Sequence, residues 1–150
     1  MATVSSGPIT KFDSVFVSGT EYDNTNSLYC MDDEPCNHSP AKPLKLGMVV
    51  LVNGTAAEDY ATNRLGPRVA KTITYEETVE GEVQSVAADG LSLVVLGQVV
   101  HIDQKTKIDA SIACQSIIHL VPNRDVVEVS GFVVGDGHII ATFIELTCPL

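Results

Sequence analysis

Tryptophan is absent from this chain of 150 residues, only four Tyr and four Phe occur, and nine Lys and Arg face nineteen Asp and Glu. Each shortage excludes something. Carbohydrate binding on aromatic platforms has little to work with, because most of the aromatics (Phe12, Phe16, Phe132, Phe143 and Tyr22, Tyr29, Tyr60, Tyr75) fall in strand-like blocks where core packing is their ordinary role. A formal charge of −10 has the wrong sign for gripping phosphate backbones. Neither half reverses it: residues 1–79 hold six basic and ten acidic side chains, and residues 80–150 hold three and nine. No nucleic-acid partner is expected. No apolar run approaches the roughly 18 residues of a spanning helix, and the start from Met1 to Gly7 has neither a basic region nor a hydrophobic stretch. The chain as read is therefore expected to be soluble, without membrane insertion.

Catalytic motifs are missing too. There is no Gly-x-Ser-x-Gly elbow, no Gly-x-Gly-x-x-Gly or P-loop, and no Cys-x-x-Cys-His. The expectation is a protein that is not an enzyme and carries no cofactor.

What the sequence has is internal order. Glu80 to Val86 leads through Asp89-Gly90 into Leu91 to Leu96, then Gly97-Gln98 and Val99 to Asp103. The first half runs likewise from Gly7 to Phe12, through Asp13, into Ser14 to Val17, a turn at Gly19-Thr20, and Glu21 to Asp23. Gly47 to Gly54 matches Arg124 to Gly131, and Val69 to Tyr75 matches Ile140 to Leu146. Four blocks in the same order indicate an internal duplication. Val, Ile, Thr and Phe dominate the blocks, so each reads as a strand. The fold class is all-β: two tandem small OB-like barrels or sandwiches, residues 1–79 and 80–150, joined almost strand to strand with restricted relative motion. Asp136-Gly137 and Asp89-Gly90 read as type I′ hairpin turns. The single helical candidate is a turn around Ser111 to His119. Candidate core residues of the second unit include Val126, Val129, Phe132, Ile140 and Ile144, with the register open.

The ordered blocks, from Gly7-Pro-Ile-Thr-Lys-Phe12 through Val79-Glu-Gly-Glu-Val-Gln-Ser-Val86 to Asp125-Val-Val-Glu-Val-Ser-Gly131, resemble a bacterial family of exported tandem β-modules of unknown function with OB-like barrels. The resemblance spans Ser6 to Leu146. It implies an envelope or secreted protein, and it assigns no ligand or catalytic residue. The Cys-bearing insert Tyr29 to Ser39 and the Cys114 to Cys148 pair depart from the family pattern.

Four cysteines allow three pairings. The repeat makes one bridge per unit the simplest, Cys30 with Cys36 and Cys114 with Cys148, closing loops worth roughly 2.4 and roughly 3.8 kcal/mol of chain entropy. Such staples suit small barrels in an oxidising, extracellular or periplasmic compartment. The alternative is a zinc or copper site on Cys30, Cys36 and His38, with Asp32, Asp33 and Glu34 alongside. His101, His119 and His138 stand one per segment and read as surface or satisfied residues rather than ligands. Asn37 and Asn53 each open a glycosylation sequon.

The function expected is a structural or protein-interaction module of the cell envelope, a subunit of a surface assembly or filament; the alternative is a small-molecule or metal-binding module using the Cys30 to His38 insert. Its partner is protein, with self-assembly by strand addition in view. The uncharged stretch Ala2 to Thr10 is expected to pack on a β-surface of its own chain or a neighbour's, and the final strand, His138 to Leu146, to leave an edge.

Overall fold

A computed structural model describes residues 2–12, 14–32, 34–40, 42–59, 64–110 and 116–148. The chain divides into two units, residues 1–76 and 77–150. Unit 1 contains β1 (Ala2–Phe12), β2 (Val15–Val17), β3 (Thr20–Tyr22), β4 (Leu28–Met31), β5 (Val49–Asp59) and β6 (Arg64–Tyr75). Unit 2 contains β7 (Val79–Val86), β8 (Ser92–Val95), β9 (Gln98–His101), β10 (Lys107–Ala110), a 3₁₀ turn at Ile117–His119, β11 (Val126–Val133) and β12 (His138–Thr147). The all-β expectation holds.

The two units share one strand order. Unit 1 reads β3-β2-β1-β5-β6-β4, and unit 2 reads β9-β8-β7-β11-β12-β10. In unit 2 a parallel pairing of β9 with the start of β12 closes five strands into a barrel. In unit 1 the corresponding closure is a single parallel bridge between Asp23 and Val69. Local devices recur with the order. Ser27 Oγ donates to the Ala70 carbonyl at 2.7 Å, and Thr106 Oγ1 to the Ala141 carbonyl at 2.7 Å. Ile9 N–H donates to the Met48 carbonyl, and Val83 N–H to the Asp125 carbonyl, each at 2.9 Å.

The matched glycines sit where the backbones come closest. Gly54 pairs with Ala70 and Gly131 with Ala141, each beside a bulge. A Cβ on Gly54 would stand 2.2 Å from the Val69 carbonyl oxygen, and one on Gly131 2.2 Å from that of Ile140. Nothing larger than hydrogen fits at either site. In β12 the bulge at Thr142 shifts the alternation, so Ile139 and Ala141 face the core before it and Ile144 and Leu146 after it.

Of the five core candidates, Val129 and Ile144 are fully buried and Val126 is half-buried. Phe132 and Ile140, at 46% and 37% exposure, face out. The reason is period two: Val127 and Val129 point inward, so Val126 and Phe132, each an odd number of residues from Val129, cannot share their face. Phe132 and Ile140 are instead cross-strand partners on the outer surface.

The hairpin expectation also needs correction. Among the described residues only Ser18, Asp32, Leu96 and Asn123 combine a side chain with positive φ, so neither Asp89 nor Asp136 adopts the left-handed form a type I′ turn requires. Asp89 accepts from Leu91 N–H through its carboxylate, and Gly135-Asp136-Gly137 is a three-residue loop closed by Val134 N–H to the His138 carbonyl. The turns with two left-handed residues are Ser18-Gly19 (φ 51 and 74) and Leu96-Gly97 (φ 48 and 75), joining β2 to β3 and β8 to β9. Two further expectations are settled. The N-terminal stretch packs in its own chain, pairing with β5 from Ala2 to Pro8. The final strand is no edge: β12 pairs with β11 along one side and with β9 and then β10 along the other. Of the helical candidate only Ile117–His119 forms a 3₁₀ turn; residues 111–115 lie outside the described residues.

One buried charge anchors the entry to β11. Asp125 is wholly buried and accepts from Val121 N–H at 2.6 Å and from Arg124 Nε at 2.9 Å. The Arg124 hydrogen bonds hold its carboxyl below the usual range, against burial, with Val121 N–H assisting.

Two outcomes are expected. Gly131→Ala forces a methyl into a backbone carbonyl and should lower stability by about 3 kcal/mol, measured as a urea midpoint, whereas Gly135→Ala, with open space around it and only its positive φ to strain it, should cost about 1 kcal/mol. Because the folded pKa of Asp125 lies below its unfolded value, its contribution is complete above about pH 4 and is lost as pH falls through the folded value. Asp125→Asn should therefore be less stable near neutrality and show a shallower decline on acidification, read from urea midpoints at several pH values.

Candidate functional site

The cysteine insert extends β4. Cys30 and Cys36 form a disulfide with Cα atoms 4.2 Å apart. Tyr29 and Asn37 exchange backbone hydrogen bonds of 2.7 and 2.9 Å just outside it, so the loop is closed twice. In this oxidised form the two sulfurs are joined to each other and are not thiolate ligands. His38 and Glu34 are exposed beside the bridge, Asp32 is half-buried in a left-handed turn, and Asp33 lies outside the described residues. Cys148 is disulfide-bonded, and Cys114 lies outside the described residues.

The histidines are less isolated than their spacing implies. Parallel pairing of β9 with β12 brings His101 Nε2 within 2.9 Å of His138 Nδ1. The ring centroids are 5.2 Å apart and the planes 13° from parallel, too distant for face stacking. The rings meet edge to edge, one N–H donating to the other ring's lone pair. His119 Nδ1 lies 2.8 Å from Ser116 Oγ, but this is an i, i+3 contact across a single 3₁₀ turn. Among the described residues no carboxylate hydrogen-bonds the far side of the His119 ring, so no Ser-His-acid relay is assembled.

A different feature is an uncovered stretch of strand edge. Val79 to Glu82 of β7 pair with β11 on one side, but β8 pairs with β7 only from Val83 onward. The outer side of Val79 to Glu82 opens into a groove of about 640 Å³ lined by Glu77, Glu80, Gly81, Glu82, Leu96 and Gln98, among others. In an antiparallel ladder alternate residues turn their N–H and C=O to the same neighbour. Since Val83 N–H is spent on Asp125 of the β11 side, Gly81 faces that way too, and Glu80 turns its backbone groups into the groove.

Unit 1 has the same edge, and there the carbonyl at the equivalent place is capped. There Ser6 holds the place of Glu80, and Ser18, the first residue of the β2–β3 turn, donates its hydroxyl to the Ser6 carbonyl at 2.6 Å. In unit 2 the corresponding turn residue is Leu96, which has no donor on its side chain. Its carbons lie 3.1–3.3 Å from where a Cβ of Gly81 would stand, and the residue is 64% exposed. An exposed, bulky residue in the left-handed region costs about 1–2 kcal/mol without burial to offset it. Glu80 and Glu82 are exposed, and Glu80 stands abreast of Glu128 and Glu145 across β7, β11 and β12, so this part of unit 2 is rich in carboxylates.

Sequence reasoning passed over this site because nothing in Leu96-Gly97 resembles the Asn-Gly or Asp-Gly signal of a type I′ turn. Aligning Ser18-Gly19 with Leu96-Gly97 is the clue that was available. Replacing Leu96 by Asn should raise stability by about 1 kcal/mol, since Asn accepts positive φ; an unchanged or lower urea midpoint would show that the leucine makes up its strain in packing.

Residues 80–145, which run from β7 almost to the end of β12, match the family described as Domain of unknown function (DUF5666). No curated protein and no solved structure matches the chain. Unit 2 is thus similar, along nearly its whole barrel, to a family whose function is unknown.

Proposed function

We propose that the chain is a non-enzymatic, exported protein-interaction module, a component of a surface assembly, that takes up an extended segment of another protein along the open edge of β7. The observation that carries this reading is the contrast between two equivalent edges: the Ser6 carbonyl is capped by Ser18, whereas the Glu80 backbone faces a groove beside Leu96. An unpaired N–H and C=O on a strand edge is a template for a further strand, and natural proteins normally blunt it. Strand addition supplies main-chain hydrogen bonds for affinity and leaves specificity to alternate side chains. Export is the part of the reading supported by the Cys30–Cys36 disulfide, since such bonds persist in oxidising compartments.

Native-state amide exchange in the full chain tests the edge. The Glu80 amide should exchange far faster than those of Val83 and Val127, whose backbones lie within paired strands. Protection of Glu80 equal to its neighbours' would mean that the edge is already covered, and the reading would fail.

A further inference from the structure

Resting on the strand-addition reading above, we infer that the occupant of the β7 groove is an extended segment of a different protein in which basic and apolar residues alternate. Three observations give it this chemistry. First, alternation along β7 puts Glu80 and Glu82 on the exposed face, while Val79, on the other face, enters the core. A strand laid beside β7 presents its own alternate side chains to those same two faces. The positions abreast of Glu80 and Glu82 meet two exposed carboxylates, which lysine or arginine complements. Second, the intervening positions meet Gly81 and the apolar side chain of Leu96 that lies against it. A valine or isoleucine covers Leu96 there and offsets the strain of its backbone. Third, the chain is itself a poor donor of such a segment. It carries nine basic residues in all, and its uncharged N-terminal stretch is already paired with β5 in its own unit. A second copy is therefore the wrong partner on grounds of charge.

The two units differ in the same way at this place on the edge. At the equivalent place unit 1 has Ser6 and Pro8 where unit 2 has Glu80 and Glu82, so it lacks both the carboxylates and, because of the Ser18 hydroxyl, the free carbonyl.

The test is a titration of the full chain with three labelled, end-capped peptides, Lys-Val-Lys-Val-Lys, Gln-Val-Gln-Val-Gln and Glu-Val-Glu-Val-Glu, followed by fluorescence anisotropy and by amide exchange at Glu80. The lysine peptide should bind about tenfold more tightly than the glutamine peptide and protect the Glu80 amide, and its advantage should shrink with added salt. The double variant Glu80→Lys with Glu82→Lys should reverse the order, favouring the glutamate peptide. Leu96→Ser, which restores the donor that unit 1 uses, should weaken all three peptides. If that variant does not fold, Glu80→Pro serves the same end, because it removes an N–H that only an added strand would use. If the lysine and glutamine peptides bind equally with Glu80 protected, the inferred chemistry is overturned and strand addition stands. If no peptide protects Glu80, strand addition falls with it. Self-association of the chain that protects Glu80 without any peptide would assign the groove to a second copy and overturn the basic partner.

Discussion

The close approach of the last two strands in each unit is the constraint on which the other features depend. Gly131 lies so near the Ile140 carbonyl that no side chain fits, and the bulge beside it is what turns Ile144 and Leu146 into the core after Ile139 and Ala141 have already pointed there. Without that shift β12 would show opposite faces to the core along its length. It could not then pair with β9 at its start and β10 at its end while covering the same interior. The same glycine, bulge and alanine recur at Gly54 and Ala70, where, among the described residues, the sheet is joined across by the isolated Asp23 bridge. Closure is thus a property of the strand order, and its extent differs between the units.

Much of this was legible in the sequence, because β-branched blocks and the Gly and Ala positions are local signals. The strands themselves lie in the repeated blocks, and the Cys30–Cys36 bridge followed from their proximity and from the unit boundary. What stayed hidden depends on pairing between distant segments. The meeting of His101 with His138 exists only through the parallel register of β9 on β12, and no spacing along the chain encodes it. Phe132 and Ile140 looked like core residues because hydrophobicity does not say which face of a strand is turned outward. The type I′ turns escaped for the opposite reason: the signal sought was Asp-Gly, and the protein uses Ser18-Gly19 and Leu96-Gly97, letting glycine carry one left-handed residue and strain the other.

Ser18 and Leu96 show how a shared scaffold is given different surfaces. Both occupy the same turn position with nearly the same φ, 51° and 48°. One uses the geometry to aim a hydroxyl at a neighbouring carbonyl, and the other to lay an apolar side chain on a glycine. The backbone conformation is held in common, so whether the facing carbonyl is capped is decided by a single side chain. Serine makes the strained turn useful to its own unit; leucine leaves the unit with an unspent carbonyl and an exposed apolar group side by side.

The double pairing of β12 also bears on how unit 2 assembles. A strand from the end of the unit is the neighbour of β9, β10 and β11 at once, and two of those partners are parallel and lie about 30 to 40 residues earlier in the chain. No partial barrel made of β7, β8 and β9 alone satisfies the outer edge of β9, and β10 has no other described strand to join. Such long-range pairings must pay loop-closure entropy before their hydrogen bonds form, so folding belongs to the slower class set by topology. The unit should cross its barrier as one cooperative step, because no set of its strands that leaves out β12 closes the barrel.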